Sequence, residues 1–308
     1  MEEFRDAYLA APTKEEKDKV FLLYKEKDKL SWSREILLTA QEQERFAYCD
    51  DPALKMEADT KLLAGTKETL DMIFSTMDPE KAMPMAFEWR FGGDKVPGYD
   101  MTLSDGRVVT FNGTIDRIDI NEEEKRFSIL DYKTGNKTIE FDDLYAGSSV
   151  QLPSYMHVYS SMHPELSPDG VSYIHVKRVK KSTKGISESF DPDVVARDHN
   201  TAVEETYLKN CELKADPEDM KRMGEFALSR VKEKCEELYG GHFDARPAKI
   251  KKHPLLRCGD CEYNQICNGN PESPDYNYLP TMAPKLNEQG KAMKKQELFF
   301  STIKEKEE

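Results

Sequence analysis

The sequence predicts an α+β protein: a mixed central sheet flanked by helices, with a helical segment before it and a cysteine-rich, metal-held staple after it. Three observations lead there. Residues 1–83 carry apolar positions at helical spacing among charge runs such as Lys14-Glu15-Glu16-Lys17. Residues 84–133 switch to short apolar runs separated by turn signals, the texture of strands. Three of the six cysteines, Cys258, Cys261 and Cys267, then cluster near the C-terminus. The expected divisions are a helical segment over 1–83, a core with a helical extension over 84–245, a cysteine-rich segment over 246–284 and a charged tail over 285–308.

Composition narrows the function classes. Against 45 Lys and Arg stand 58 Asp and Glu, a net charge of −13. That excludes coating nucleic acid by bulk charge and leaves contact through local basic patches. No run approaches the ~18 apolar residues of a membrane span. Met1-Glu2-Glu3-Phe4-Arg5 is acidic and lacks the apolar centre of a signal peptide. A cytoplasmic location and no membrane partner are expected. In a reducing compartment clustered cysteines point to metal rather than disulfides.

Taken in order, the helical part offers Ser33 as an N-cap for Arg34-Glu35-Ile36-Leu37-Leu38. Met85 to Gly92 reads as a strand ending at Gly92-Gly93. Tyr99–Leu103 and Arg107–Phe111 flank the hairpin signal Ser104-Asp105-Gly106. Gly113–Ile120 and Phe127–Lys133 flank the polar turn Asn121 to Lys125, so the whole reads as an antiparallel meander. Asp142-Asp143 starts a helix over Leu144–Met162, with Pro153 tolerable only in a first turn. Val171–Val176 is a strand. Asp191 to Tyr239 is helical with a break at Asp216-Pro217, and Leu298-Phe299-Phe300 is apolar enough to dock.

The stretch from Gly113 to Gly135 carries the chemistry. Asp116 lies in one strand; Asp131 and Lys133 lie near the end of the next and share a face, with Tyr132 pointing away. Two carboxylates and a lysine on one sheet surface can hold a hard divalent cation and steer a water. A solvated surface Asp–Lys pair is the plainer alternative for the triplet alone. Gln151 and Tyr155, four apart on the following helix, share a face and could hold a water or a phosphate.

Gly113-x-Ile115-Asp116-Arg117-Ile118-Asp119, then Ile129-Leu130-Asp131-Tyr132-Lys133-Thr134-Gly135, then Gln151-Leu152-x-x-Tyr155 resembles the PD-(D/E)XK nuclease superfamily. More narrowly, it resembles the RecB/AddB branch, the nuclease domains of bacterial helicase–nucleases. Glu88-Trp89-Arg90-Phe91-Gly92-Gly93 is similar to the segment preceding the metal aspartate in AddB-type proteins. The resemblance runs from about residue 35 to 280. It implies a restriction-endonuclease-like core, DNA as substrate, a helicase–nuclease partner subunit, and Mg2+ or Mn2+ as cofactor. It further implies that Asp116 and Asp131 are metal ligands with the Tyr132 main-chain carbonyl. Lys133 would be the catalytic lysine, and Gln151 and Tyr155 would support the site.

Cys258, Cys261 and Cys267 have ligand spacing. The resemblance implies a [4Fe–4S] cluster, with a fourth ligand that the sequence does not identify. His253 joining the three cysteines around Zn2+ is the alternative. The chain departs from the family in having no histidine before the strands, since the earliest is His157, and it resembles the domain with its first segment missing. Basic runs at Lys177, Arg178, Lys180 and Lys181, and at Lys249 to His253, suit DNA phosphates or a solvated surface. The expectation is a metal-dependent deoxyribonuclease, most simply an exonuclease serving double-strand-break repair. A non-catalytic DNA-binding or scaffold module and a zinc-stabilised interaction protein are the alternatives.

Overall fold

The structure, a computed structural model, describes residues 1–42, 52–133, 139–175, 212–242, 248–249, 262, 277–287 and 289–305. The chain divides into two compact units, one of Met1–Trp89, Asp116–Thr138 and Ser172–Cys211, the other of Arg90–Ile115, Ile139–Val171 and Glu212–Glu308.

The first unit begins with helices α1 (Glu2–Ala10), α2 (Lys14–Glu26), α3 (Lys29–Glu42) and α4 (Pro52–Thr76). Thr13 and Glu16 close a capping box at the start of α2, each side chain accepting the other's backbone N–H. Helix α3 starts four residues before the expected cap. Asp28 accepts from the Leu30 N–H at 3.0 Å and from the Ser31 hydroxyl at 2.7 Å, so the carboxylate is the cap and Ser33 lies buried within the helix. Lys29, also buried, donates through Nζ to the carbonyls of Tyr24, Lys25 and Lys27, satisfying the open end of α2. The apolar stripes converge on Phe4, Tyr8, Tyr24, Trp32 and Phe74, whose rings stand edge-on or tilted at 5.2–6.2 Å around Phe4 and Trp32. This aromatic core extends to Met83, so the helices cover strand β1 (Met83–Phe91).

Strand β1 is followed in this sheet by β4 (Gly113–Asn121), β5 (Arg126–Lys133) and β6 (Ser167–His175), neighbours in the order β1-β4-β5-β6. Strands β4 and β5 are antiparallel, paired from Arg117↔Leu130 to Asn121↔Arg126. Ile115, Ile118, Phe127 and Ile129 are all but fully buried on this pair.

In the second unit β2 (Tyr99–Thr102) and β3 (Val108–Phe111) form the expected hairpin, with Gly106 at φ 86° in its turn. They make a two-stranded sheet of their own rather than continuing one meander. The expected helix over 144–162 is two. Helix α5 (Phe141–Ala146) ends at Gly147, whose φ of 83° is a left-handed cap that α-helix cannot continue through. Helix α6 (Gln151–Met162) follows with Pro153 in its first turn, where its missing N–H costs nothing. After the short β7 (Glu212–Lys214), α7 (Pro217–Tyr239) is capped by Asp216, which accepts from the Glu218 N–H at 3.0 Å. Helices α6 and α7 lie so close at Gly224 that a Cβ there would meet the Cβ of His157 at 2.9 Å. A two-stranded pair, β8 (Ala248–Lys249) with β9 (Asn277–Tyr278), precedes α8 (Lys295–Lys304). Leu298, Phe299 and Phe300 are buried where α8 meets α5 and α7, so the charged tail is anchored by its apolar triplet. No helix among the described residues is long and apolar enough to cross a membrane.

Candidate active site

Strand pairing brings Asp116, Asp131 and Lys133 together in the first unit. Continuing the β4–β5 register by one pair sets Asp116 opposite Asp131, and the regular ladder stops there. Instead, the Tyr132 N–H donates to Asp116 Oδ2 at 2.8 Å. A side chain thus occupies the place of a backbone carbonyl, which locks the Asp116 carboxylate against the end of β5. Alternation puts Asp131 and Lys133 on the face of Asp116 and turns the Tyr132 ring to the other. The Tyr132 hydroxyl accordingly lies 3.5 Å from Arg117 Nη1.

Asp131 is buried, and Lys133 Nζ lies 2.6 Å from its Oδ2. That oxygen has no hydrogen bond of regular geometry, so the pair is held by charge more than by direction. Burial pushes the Asp131 carboxyl above the ordinary carboxylate range; Lys133 draws it down and the Asp116 charge pushes it up again. Burial outweighs the lysine, so the carboxyl stays above its ordinary range. The Lys133 ammonium is partly exposed and sits 5.8 Å from the centre of the Tyr173 ring.

A third carboxylate stands nearby. Glu88, on β1, is pushed above its usual range first by partial loss of water around its carboxyl and then by the charge of Asp116. Its φ of 45° is rare for a non-glycine residue inside a strand. The sequence placed Glu88 on a strand and gave it no role, because nothing in the residue pattern announces a left-handed kink.

The donor set fits a hard divalent cation of the kind that keeps most of its waters. Asp131 Oδ2 and Asp116 Oδ1 have no hydrogen bond to another described residue, and both are carboxylate oxygens. No three His, Cys, Asp or Glu side chains among the described residues converge tightly enough to hold an ion by themselves. Two carboxylates with the neighbouring Tyr132 carbonyl suit Mg2+ or Mn2+ better than a full protein cage.

Gln151 and Tyr155 lie in the second unit. Gln151 is the exposed first residue of α6. Tyr155, one turn on, stands edge-on to Phe91 at 5.6 Å, tilts over Phe111 at 6.0 Å and covers Gly113. Cys258, Cys261, Cys267, Lys177, Arg178, Lys180, Lys181 and His253 lie outside the described residues.

A model of the PD-(D/E)XK nuclease superfamily matches residues 18–268. Relatives named as a subunit of ATP-dependent helicase/deoxyribonuclease include those of Clostridium tetani, 27% identical over 65% of this chain, and Lysinibacillus sphaericus, 23% identical over 74%. That of Alkaliphilus metalliredigens is 26% identical over 77%. The matched regions are 20%, 23% and 24% of those proteins, so the chain spans about a quarter of their length or less.

Proposed function

The chain belongs to the PD-(D/E)XK nuclease superfamily, and from that premise we propose that it is a metal-dependent deoxyribonuclease. It would hydrolyse phosphodiester bonds of DNA beside a helicase partner, as the names of its relatives suggest. The observation that carries the reading is the pairing of Asp116 with Asp131 at the end of the β4–β5 ladder, with Lys133 against Asp131.

In this reading Asp116, Asp131 and the Tyr132 carbonyl hold Mg2+ or Mn2+. When bound, the cation neutralises charge on a phosphoryl oxygen and lowers the pKa of water it holds. The chain's residues do the rest. Asp116 is kept in place by the Tyr132 N–H, so its charge is aimed before substrate arrives. The Lys133 ammonium would orient the attacking water or stabilise the negative charge that grows on the phosphoryl oxygens. Asp131, 2.6 Å away, holds that lysine beside the site by charge. Gln151 and Tyr155 support the reacting groups, and Lys177, Arg178, Lys180 and Lys181 hold the DNA backbone, giving affinity without sequence reading. Cys258, Cys261 and Cys267 ligate a [4Fe–4S] cluster, or Zn2+ with His253, that staples the C-terminal part. The proposal includes exonucleolytic action in double-strand-break repair and a cytoplasmic location.

Single- and double-stranded DNA incubated with the purified chain and Mn2+ or Mg2+ tests this. Cleavage that Asp131→Ala and Lys133→Ala abolish is expected. DNA binding in a gel shift without metal-dependent cleavage would instead support a non-catalytic DNA-binding module. A brown protein that bleaches in air supports iron–sulfur, and a colourless protein containing zinc supports the other staple.

A further inference from the structure

Strands β4 and β5 carry a second set of charges that the proposed chemistry does not use. On the reverse face of the strand pair, Arg117 and Asp119 form a two-bonded ion pair, Nε to Oδ1 and Nη2 to Oδ2, both at 2.6 Å. Their side chains are 4% and 10% exposed. Arg117 Nη1 also reaches the Tyr132 hydroxyl at 3.5 Å, the outer limit of a hydrogen bond, and so links β4 to β5.

Such a pair is a weak source of stability, because stripping water from two charges offsets most of their attraction. Asp119 shows the conflict: burial pushes its carboxyl up while Arg117 pulls it down. Apolar side chains of similar volume would fill this space as well or better. What the pair has is position. Arg117 is bonded to Asp116, and Tyr132 lies between Asp131 and Lys133. The ion pair holds the guanidinium on β4, and its contact with the Tyr132 hydroxyl crosses to β5 beside the point where the backbone ladder gives way to the Asp116–Tyr132 bond. A two-bonded guanidinium fixes direction as well as distance, which an apolar contact does not.

We propose that Arg117, Asp119 and Tyr132 are positioning residues, a locked reverse-face network that sets the separation of Asp116 and Asp131 and thereby the affinity of the site for a divalent cation. The inference rests on the metal-nuclease reading, so its test must fail separately from that reading.

The experiment is titration of the full chain with Mn2+ alone, followed by electron paramagnetic resonance or calorimetry, with thermal unfolding of each variant alongside. Arg117→Met alone would strand the Asp119 carboxylate, so the variant is the pair Arg117→Met with Asp119→Leu. It is expected to unfold at or above the wild-type temperature yet to bind Mn2+ about 10-fold more weakly or worse, as loss of supporting hydrogen bonds does at metal sites. Tyr132→Phe keeps the ion pair and removes one hydroxyl; it is expected to weaken binding measurably while leaving the unfolding temperature near wild type. It decides the matter alone should the double variant fail to fold. Wild-type Mn2+ affinity in the folded variants overturns the inference while leaving the site intact, provided Asp131→Ala abolishes binding. No Mn2+ binding by the wild-type chain overturns the metal reading and this inference with it.

Discussion

Replacing Gly113 with alanine tests the packing around Tyr155 directly. A Cβ built on Gly113 would stand 2.8 Å from Tyr155 Cε1, 2.8 Å from its hydroxyl oxygen and 2.9 Å from Phe91 Cε1. Ordinary contact begins at 3.4 Å, so two rings must each withdraw by roughly half an ångström. Neither can do so freely, because Tyr155 is wedged between Phe91 and Phe111 and Phe91 is fully buried. Overpacking of this kind costs about 1–3 kcal/mol. Removing a glycine from a strand returns about 0.5–1 kcal/mol. The expected net loss is therefore about 0–2.5 kcal/mol, centred near 1 kcal/mol, read as a lower urea midpoint at unchanged slope. A double-mutant cycle isolates the cause. Tyr155→Leu removes one of the two rings that the new methyl strikes, so in that background Gly113→Ala costs less, with the Phe91 contact remaining. An equal cost in both backgrounds would refute the steric argument.

Three further outcomes are expected. Asp131→Asn removes a carboxylate whose burial outweighs its lysine partner, so the metal-free variant unfolds at or above the wild-type temperature. Stabilisation by Mn2+, about 2.7 kcal/mol at 100 times Kd, is lost in that variant; a retained thermal shift would place the ion elsewhere. His157, hydrogen-bonded to the Tyr99 hydroxyl at 3.2 Å, has its imidazole pushed below the ordinary value by burial, with Glu225 pulling it up and Lys221 pushing it down. A folded pKa below the unfolded value makes protonation favour the unfolded chain, so this contribution is full above pH ~6.5 and fades as pH falls below it. Thermal midpoints from pH 7.5 to pH 5 should therefore fall more steeply for wild type than for His157→Gln, and parallel profiles would contradict it. Phe299→Ala empties a fully buried site between α8 and α7 and should cost about 3–5 kcal/mol by denaturant titration. A change below 1 kcal/mol would show that α8 is not part of the core.

Much of this arrangement was legible because it rests on local rules. Alternation along Phe127–Lys133 placed Asp131 and Lys133 on one face and Tyr132 on the other, and the hydrogen-bond partners of Tyr132 agree. Ser104-Asp105-Gly106 announced its hairpin through turn chemistry, and Pro153 announced a first helical turn. The failures have equally definite causes. Ser33 lost the cap to Asp28 because capping depends on which carboxylate or hydroxyl reaches the free N–H groups, which the local sequence does not decide. The split at Gly147 turned on a left-handed φ that a lone glycine permits but does not dictate. Glu88 was invisible for the same reason, since its relation to Asp116 depends on a backbone kink and on the lateral order of β1 and β4.

The end of the β4–β5 ladder explains why these motifs need to stand together. A regular antiparallel pair would satisfy the Tyr132 N–H with a backbone carbonyl and leave both aspartates as pendant groups on a continuous sheet. Here the Asp116 carboxylate takes that N–H, which the break in the ladder would otherwise leave unpaired. The same bond gives Asp116 a fixed direction, in register with an Asp131 that burial and Lys133 already hold. Two carboxylates so placed repel each other and gain from a cation between them. The strand pair therefore gives up one regular ladder bond at the point where its two aspartates stand side by side. That exchange is what separates Asp131 and Lys133 from an ordinary surface ion pair. It is also why Asn at position 131 should relieve the repulsion between the two carboxylates and, in the proposed reading, weaken metal binding.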